Sequence, residues 1–141
     1  MFTVSLFGSQ SIDFNTKNKL KKIILDIIKK QNTEFLITND NDFNNCAFQI
    51  LKDIENGSNY YNFFITFVSS EKNENYNNDF AVFYYDKNDI FEKDRKLKRA
   101  INIINRSDIC IFCINDDIYV QKALDYADDI NKSYIILLEW T

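Results

Sequence analysis

The 141-residue chain contains no histidine, no proline and only two glycines, and these absences exclude several kinds of functional site. Without histidine the chain cannot form a Ser-His-Asp triad, a Cys-His dyad or an HExxH zinc site. Because its only glycines are Gly8 and Gly57, the sequence contains neither a GxGxxG dinucleotide-binding loop nor a Walker A loop. The sequence therefore indicates a fold and a ligand-binding edge more firmly than it indicates a reaction.

The length of the chain and its 45% hydrophobic content predict a single domain spanning residues 1–141. The 17 Lys and Arg against 21 Asp and Glu give a net charge of −4, and the basic residues form no dense patch. Binding to nucleic acid through phosphate neutralisation is therefore not expected. No apolar run reaches the roughly 18 residues that cross a bilayer, and the start lacks a secretory signal pattern. We expect a cytoplasmic protein with no membrane partner. Its three cysteines fit a reducing compartment, and its many asparagines fit an AT-rich genome.

Short apolar segments alternate with segments that have helical periodicity. Strands are predicted at residues 2–7, 34–38, 63–68, 109–114 and 134–138, and an extra edge strand is possible at 80–85. Helices are predicted where apolar residues recur at spacings of three and four, with Asn15 or Thr16 capping the first helix and Gly57 ending the second. The apolar stripes of the four helices begin at Leu20, Phe43, Leu97 and Val120.

This alternation predicts an α/β fold with a doubly wound, three-layer, Rossmann-like architecture. The strands are apolar on both faces, as a mostly parallel sheet covered by helices on both sides requires. Right-handed crossovers favour the strand order 3-2-1-4-5. In such a sheet, ligands bind outside the carboxyl ends of the strands, near the point where the strand order reverses.

Three polar segments follow strands at that edge, namely residues 8–10, 39–42 and 115–117. Gly8 and Ser9 can present backbone N–H groups and a hydroxyl to a phosphate, although a Gly-Ser pair is also an ordinary turn between strand and helix. Asp116 and Asp117 can contact a ribose or a metal, or can cap the helix that follows them. The sequence leaves both alternatives open.

Other charged residues and two cysteines have competing interpretations. Arg95 and Arg99 are one helical turn apart and either face the crevice, where they suit a phosphate or carboxylate, or belong to a solvated basic face. Asp108 precedes a buried strand, and we expect it to bond backbone amides. Cys110 and Cys113 form a CxxC sequence within a strand, so their side chains should point to opposite faces of the sheet. We expect no metal site and no cofactor.

The segment from Arg99 through the Ser-Asp108 junction to Phe112 resembles the arginine-started helix, Ser-Asp junction and apolar strand of the SLOG superfamily. The opening strand with its Gly8-Ser9 turn is similar to that family's Gly-Ser-Arg turn, and residues 125–136 resemble its closing helix and strand. SLOG proteins are Rossmann-like nucleotide binders that include the LOG phosphoribohydrolases and DNA-processing protein A. The likeness covers nearly the whole chain and is greatest to small stand-alone bacterial and phage members. It implies nucleotide binding, with the phosphate near Gly8 and Ser9.

The chain departs from that family in its loops. Gln10 stands where arginine is usual, residues 39–42 replace a glycine-rich loop, and no glycine remains near Tyr119 and Val120. The Pro-Gly-Gly signature of the LOG enzymes is absent, so the resemblance implies binding without implying catalysis. The candidate ligand-binding residues are Gly8, Ser9, Gln10, Asn39, Asp40, Asn41, Arg95, Arg99, Asn115, Asp116 and Asp117.

These observations lead to one hypothesis and two alternatives. The first is a small nucleotide-binding sensor or accessory protein. The second is an enzyme that cleaves or transfers N-glycosidic bonds, with Asp40, Asp42 or Asp116 as the working carboxylate. Nucleoside 2-deoxyribosyltransferases have a similar late strand, but Ala123 or Leu124 stands where their nucleophilic Glu is expected. The third is a ligand-free interaction domain that uses the aromatic residues between 60 and 85, including Tyr76, Tyr84 and Tyr85, as a homodimer or partner surface.

Overall fold

A computed structural model describes residues 1–57, 62–69, 81–84 and 92–138, in which strands and helices alternate. In chain order, the strands are Phe2–Phe7 (β1), Thr33–Ile37 (β2), Phe63–Ser69 (β3), Ala81–Tyr84 (β4), Ile109–Cys113 (β5) and Tyr134–Leu138 (β6). The helices are Phe14–Ile28 (α1), Asp42–Gly57 (α2), Glu92–Arg106 (α3) and Ile118–Asp129 (α4). Within these described segments, no helix has the length and apolar character needed to cross a membrane.

The strands form one sheet in the order β4-β3-β2-β1-β5-β6, and every pair of neighbours is parallel. The predicted α/β, doubly wound architecture is confirmed, because the five predicted strands take the order 3-2-1-4-5. The segment at 80–85 supplies the extra edge strand, β4, which pairs with β3. The aromatic surface proposed between 60 and 85 lies largely outside the described residues, as do all the side chains of β4. The strand order reverses between β1 and β5, which locates the expected crevice.

Alternating side chains bury the sheet on both faces. Val4 and Leu6 of β1 pack with α1 and α2, whereas Phe7 packs with Phe112 against the α3 and α4 side. The same alternation places Cys113 on the first side and Cys110 on the second, so the prediction that the two thiols separate is confirmed. Burial raises the pKa of both thiols, that of Cys113 to about 11. The CxxC sequence is therefore part of the core.

The ends of several elements are fixed by specific hydrogen bonds. The prediction that Asn15 or Thr16 caps α1 is wrong, because the Asp13 carboxylate accepts a hydrogen bond from the Thr16 N–H at 2.8 Å and the helix begins directly after it. Asp108 is structural, as predicted. Its carboxylate accepts from the Thr3 N–H at 2.7 Å, which joins the start of β5 to β1 rather than to a helix. Lys132 donates to the Ser107 carbonyl at 2.7 Å. This bond gives a structural reason for the lysine in the closing segment.

Candidate functional site

A narrow cleft opens at the carboxyl ends of β1 and β2, between these strands and the helices α3 and α4. Its interior volume is about 70 Å³, which is enough for a few water molecules or for the flat edge of a small molecule. The apolar residues that line it are Leu6, Phe7, Ala100, Ile103, Val120 and Ala123. The polar side chains are contributed mainly by the segment after β2 and by α3. The cleft lies at the edge of the sheet where the strand order predicts ligand binding.

The polar side of the cleft is organised around the Thr38 hydroxyl. This hydroxyl donates to the Asp40 carboxylate at 2.7 Å and accepts from the side-chain amides of Asn44 at 3.1 Å and Asn41 at 3.2 Å. Asn44 is only 2% exposed. Its Oδ1 is buried and accepts no hydrogen bond from any residue that the structure describes. A buried amide oxygen without a donor is uncommon in native proteins, and among the described residues the Ser5 hydroxyl oxygen is in the same situation.

An ion pair joins this polar segment to α3. The Arg99 guanidinium binds the second carboxylate oxygen of Asp40, and the Arg99 side chain is only 12% exposed. Burial opposes ionisation of Asp40, but the charge of Arg99 and hydrogen bonds from Thr38 and Arg99 outweigh it, so the pKa of Asp40 is lowered. Asp40 is therefore an ionised carboxylate at neutral pH. Arg95 lies in α3 as predicted, but its side chain is outside the described part of the chain.

A cation and an aromatic ring form another part of the cleft wall. The Lys96 ammonium group lies 5.3 Å from the centroid of the Tyr119 ring, within the range of a cation–π contact. Lys96 is exposed to solvent, and Tyr119 is half-buried at the start of α4. The cleft wall therefore carries an exposed positive charge beside an aromatic surface.

Gly8 lines the cleft, but the need for glycine comes from packing. A Cβ atom at this position would lie closer than 3.0 Å to three side-chain atoms of Phe43, the second residue of α2. No glycine in the described chain has a positive φ, so a left-handed turn is not the reason for Gly8. Ser9 also lines the cleft. Its hydroxyl accepts from the Asn115 amide at 2.7 Å and its carbonyl accepts from the Asp42 N–H at 3.1 Å.

The two helices that begin beside the cleft are capped by the chain's own side chains. Asn41 accepts a hydrogen bond from the Asn44 N–H at 2.8 Å, and Asp117 accepts from the N–H groups of Tyr119 and Val120 at 2.8 and 3.2 Å. Of the two interpretations of Asp117, the structure shows the cap. These N–H groups are not available to a phosphate unless the capping side chains move.

Some of the predicted site residues line the cleft, and others do not. Those that line it are Gly8, Ser9, Asp40, Asn41, Arg99 and Asp117. Gln10, Asn39, Asp42 and Asp116 are exposed and do not line it, and Asn115 is connected to it through Ser9. Among the three candidate catalytic carboxylates, only that of Asp40 lies in the cleft.

Sequence reasoning missed Thr38, Asn44, Lys96 and Tyr119. For two of these residues, Thr38 and Asn44, the position in the sequence could have indicated that the side chain lies near the cleft. The side chains of a strand alternate between its faces, so Thr38 lies on the same side of the sheet as Leu36, which packs against α3. Asn44 lies three residues after the helix cap Asn41, within the first helical turn beside the cleft.

Within the described residues, no group of three or more Cys, Asp or Glu side chains is placed to hold a metal ion. No family model matches the sequence, and no curated protein matches it.

Proposed function

We propose that the protein binds a small nucleotide-derived ligand in the cleft and acts as a sensor or accessory protein. The observation that carries this proposal is the placement of Arg99 and Lys96 in a partly apolar cleft at the carboxyl edge of the sheet. In open α/β sheets, ligands bind at this edge next to the point where the strand order reverses. The resemblance of the segment from Arg99 to Phe112 to nucleotide-binding SLOG proteins supports the same class of ligand.

The dimensions and surfaces of the cleft indicate how such a ligand binds. An interior of about 70 Å³ admits one flat edge of a base, so the sugar and phosphate lie outside it. The apolar lining suits a base, and the exposed ammonium group of Lys96 suits a phosphate at the opening. Because the nearby helix starts are already capped, the phosphate is bound by side-chain cations instead of helix N–H groups.

A thermal-shift screen with nucleoside monophosphates, cyclic nucleotides and ADP-ribose tests the proposal. A ligand that binds the native state raises the apparent unfolding midpoint, and calorimetry then gives its affinity. Lys96→Ala should weaken binding roughly tenfold, the effect of losing one charge-assisted hydrogen bond. The matched control is Lys98→Ala, because Lys98 is exposed on the same helix and does not line the cleft. The proposal fails if no compound in the screen raises the midpoint, or if both variants bind equally well.

One observation favours a second candidate, hydrolysis of the N-glycosidic bond of a nucleotide. Asp40 is held ionised in the cleft by Arg99, and an ionised carboxylate can act as a nucleophile or stabilise a developing positive charge. Incubation with nucleoside monophosphates would then release the free base, detected by chromatography. Asp40→Asn should abolish that release and leave binding measurable, and release that persists in this variant assigns the chemistry to another residue.

A further inference from the structure

We infer that the phosphate of the bound ligand takes the place of Asp40 on Arg99, so that Asp40 is an internal competitor for the anion site. This inference rests on the proposed function for the identity of the ligand, and it adds how the phosphate is bound. It starts from the ion pair between Arg99 and Asp40, which lines the cleft and joins α3 to the segment after β2.

Most of the hydrogen-bonding capacity of Arg99 is unused within the described chain. A guanidinium group offers five N–H donors in a planar fork, which matches the oxygens of a phosphate. Among the described residues, the one hydrogen-bond acceptor of Arg99 is the second carboxylate oxygen of Asp40. The fully buried unpaired side-chain atoms in those residues belong to Ser5 and Asn44, so the unpaired nitrogens of Arg99 keep contact with solvent. Arg99 therefore has donors within reach of an anion that enters the cleft.

Asp40 can release Arg99 without losing its other hydrogen bonds, because its two carboxylate oxygens have separate partners. One oxygen accepts from the Thr38 hydroxyl at 2.7 Å and from the Asn41 amide at 3.2 Å, and the other binds Arg99. The Asp40 side chain is 31% exposed, so the released oxygen can be hydrated. This exposure also places the ion pair near the opening of the cleft, where the phosphate of the ligand is proposed to lie.

The charges in the cleft explain why the phosphate replaces Asp40 instead of binding beside it. The acidic side chains that line the cleft are Asp40 and Asp117, and the basic ones are Lys96 and Arg99. With two of each sign, the cleft has no excess positive charge to attract an anion. A phosphate on Arg99 would share the guanidinium with Asp40, and two negative charges that close repel each other. Once Asp40 moves away, Lys96 and Arg99 remain as partners on one face of α3, because they are three residues apart.

Calorimetry with inorganic phosphate at constant ionic strength tests this exchange. Asp40→Asn keeps the shape of the side chain but removes the negative charge that competes for Arg99. We expect this variant to bind phosphate about tenfold more tightly than the unaltered protein, the effect of freeing one charge-assisted hydrogen-bonding partner. Asp40→Ser also removes the charge, and it serves as a second variant that should give a similar gain.

The matched control is Asp116→Asn, because Asp116 is exposed after β5 and does not line the cleft. It removes the same charge from the same edge of the sheet, and salt screens exposed charges, so the affinity should change by less than about twofold. Adding Arg99→Gln to Asp40→Asn should abolish the gain, since the freed guanidinium is then absent. Adenosine monophosphate should also gain about tenfold in Asp40→Asn, whereas adenosine, which has no phosphate, should not gain.

The outcomes separate this inference from the function on which it rests. If phosphate binds neither protein, binds both equally or binds Asp40→Asn more weakly, Asp40 does not compete for Arg99 and the inference is overturned. An equal gain in Asp116→Asn, or a gain that survives Arg99→Gln, also overturns it, because the effect then comes from general charge or from another cation. If Asp40→Asn gains phosphate affinity but no nucleotide raises the unfolding midpoint of the unaltered protein, the exchange stands and the proposed function fails.

Discussion

Two polar clusters lie on the same face of the sheet, and they differ in how completely their hydrogen bonds are satisfied. One surrounds Glu34 toward the amino end of β2, and the other surrounds Thr38 and Asn44 beyond its carboxyl end. Strand alternation places Glu34 and Thr38 on the face that is covered by α3 and α4, with the buried Leu36 between them. Both clusters receive an arginine from α3.

The Glu34 cluster is closed. One carboxylate oxygen accepts from Thr3 at 3.3 Å and lies 3.7 Å from the Arg106 guanidinium, and the other accepts from Thr66 at 2.8 Å. Glu34 thereby connects three adjacent strands and a helix. The Thr38 hydroxyl makes three side-chain hydrogen bonds, yet the Asn44 oxygen remains without a donor among the described residues. The first cluster therefore has its hydrogen bonds satisfied within the fold, whereas the second keeps one buried acceptor unpaired among the described residues.

Alanine at Gly8 should have the largest effect on stability, because the cleft depends on the close approach of α2 to β1. The added Cβ would overlap the Phe43 side chain, and overpacking of this kind costs about 3 kcal/mol. Urea unfolding measures this decrease in the free energy of unfolding.

Gly57→Ala is the matched control for Gly8→Ala. Among the described residues, no atom outside the neighbouring backbone lies within 4 Å of a Cβ at Gly57, and the residue is helical. Alanine there should raise the free energy of unfolding by about 0.5 kcal/mol. Equal effects of the two substitutions would contradict the packing role of Gly8.

Alanine substitutions at Glu34 and Asn44 test the contrast between the clusters. Glu34→Ala removes the partner of two buried threonine hydroxyls and should lower the free energy of unfolding by about 2 kcal/mol. Asn44→Ala removes one hydrogen bond together with an unsatisfied oxygen, and alanine favours the helix, so the loss should stay below about 1 kcal/mol. Chemical denaturation without ligand measures both values. A larger loss at Asn44 than at Glu34 would mean that the second cluster is structural.

The acid dependence of stability tests the ion pair of the second cluster and should show the smallest effect. The pKa of Asp40 is lower in the folded state than its unfolded value of about 3.9. Ionised Asp40 therefore adds stability above about pH 4, and this contribution is lost as the pH falls through the folded-state pKa. In Asp40→Asn, the free energy of unfolding should fall less between pH 6 and pH 3 than in the unaltered protein. Arg99→Gln should reduce the pH dependence of the free energy of unfolding in the same way. If the pH dependence of both variants equals that of the unaltered protein, the ion pair adds no pH-dependent stability.

Several features of this molecule followed from local patterns that act through near neighbours. Alternating apolar strands and helical stripes predicted the doubly wound sheet, and alternation within β5 predicted that Cys110 and Cys113 point to opposite faces. The capping role of Asp117 could also be predicted, because an Asp directly before a helix accepts hydrogen bonds from the first N–H groups of that helix.

The candidate site was only partly predictable, because its members meet through the packing of distant elements. The pairing of Asp40 with Arg99 depends on how α3 crosses the sheet, and no spacing within either segment reveals it. The role of Gly8 depends on where the Phe43 ring lies. Asn44 resembles any other asparagine in an asparagine-rich sequence until its neighbours are known.

The sequence by itself determined the order of helices and strands, the burial of the sheet on both faces and the edge at which a cleft would form. These properties follow from the hydrophobic periodicity within each segment and from the right-handed crossovers that connect parallel strands. Only the tertiary structure decided which polar atoms are satisfied. Hydrogen bonding depends on distances and directions between residues far apart in the chain. For that reason the unpaired oxygen of Asn44 and the satisfied carboxylate of Glu34 became distinguishable only in the folded protein.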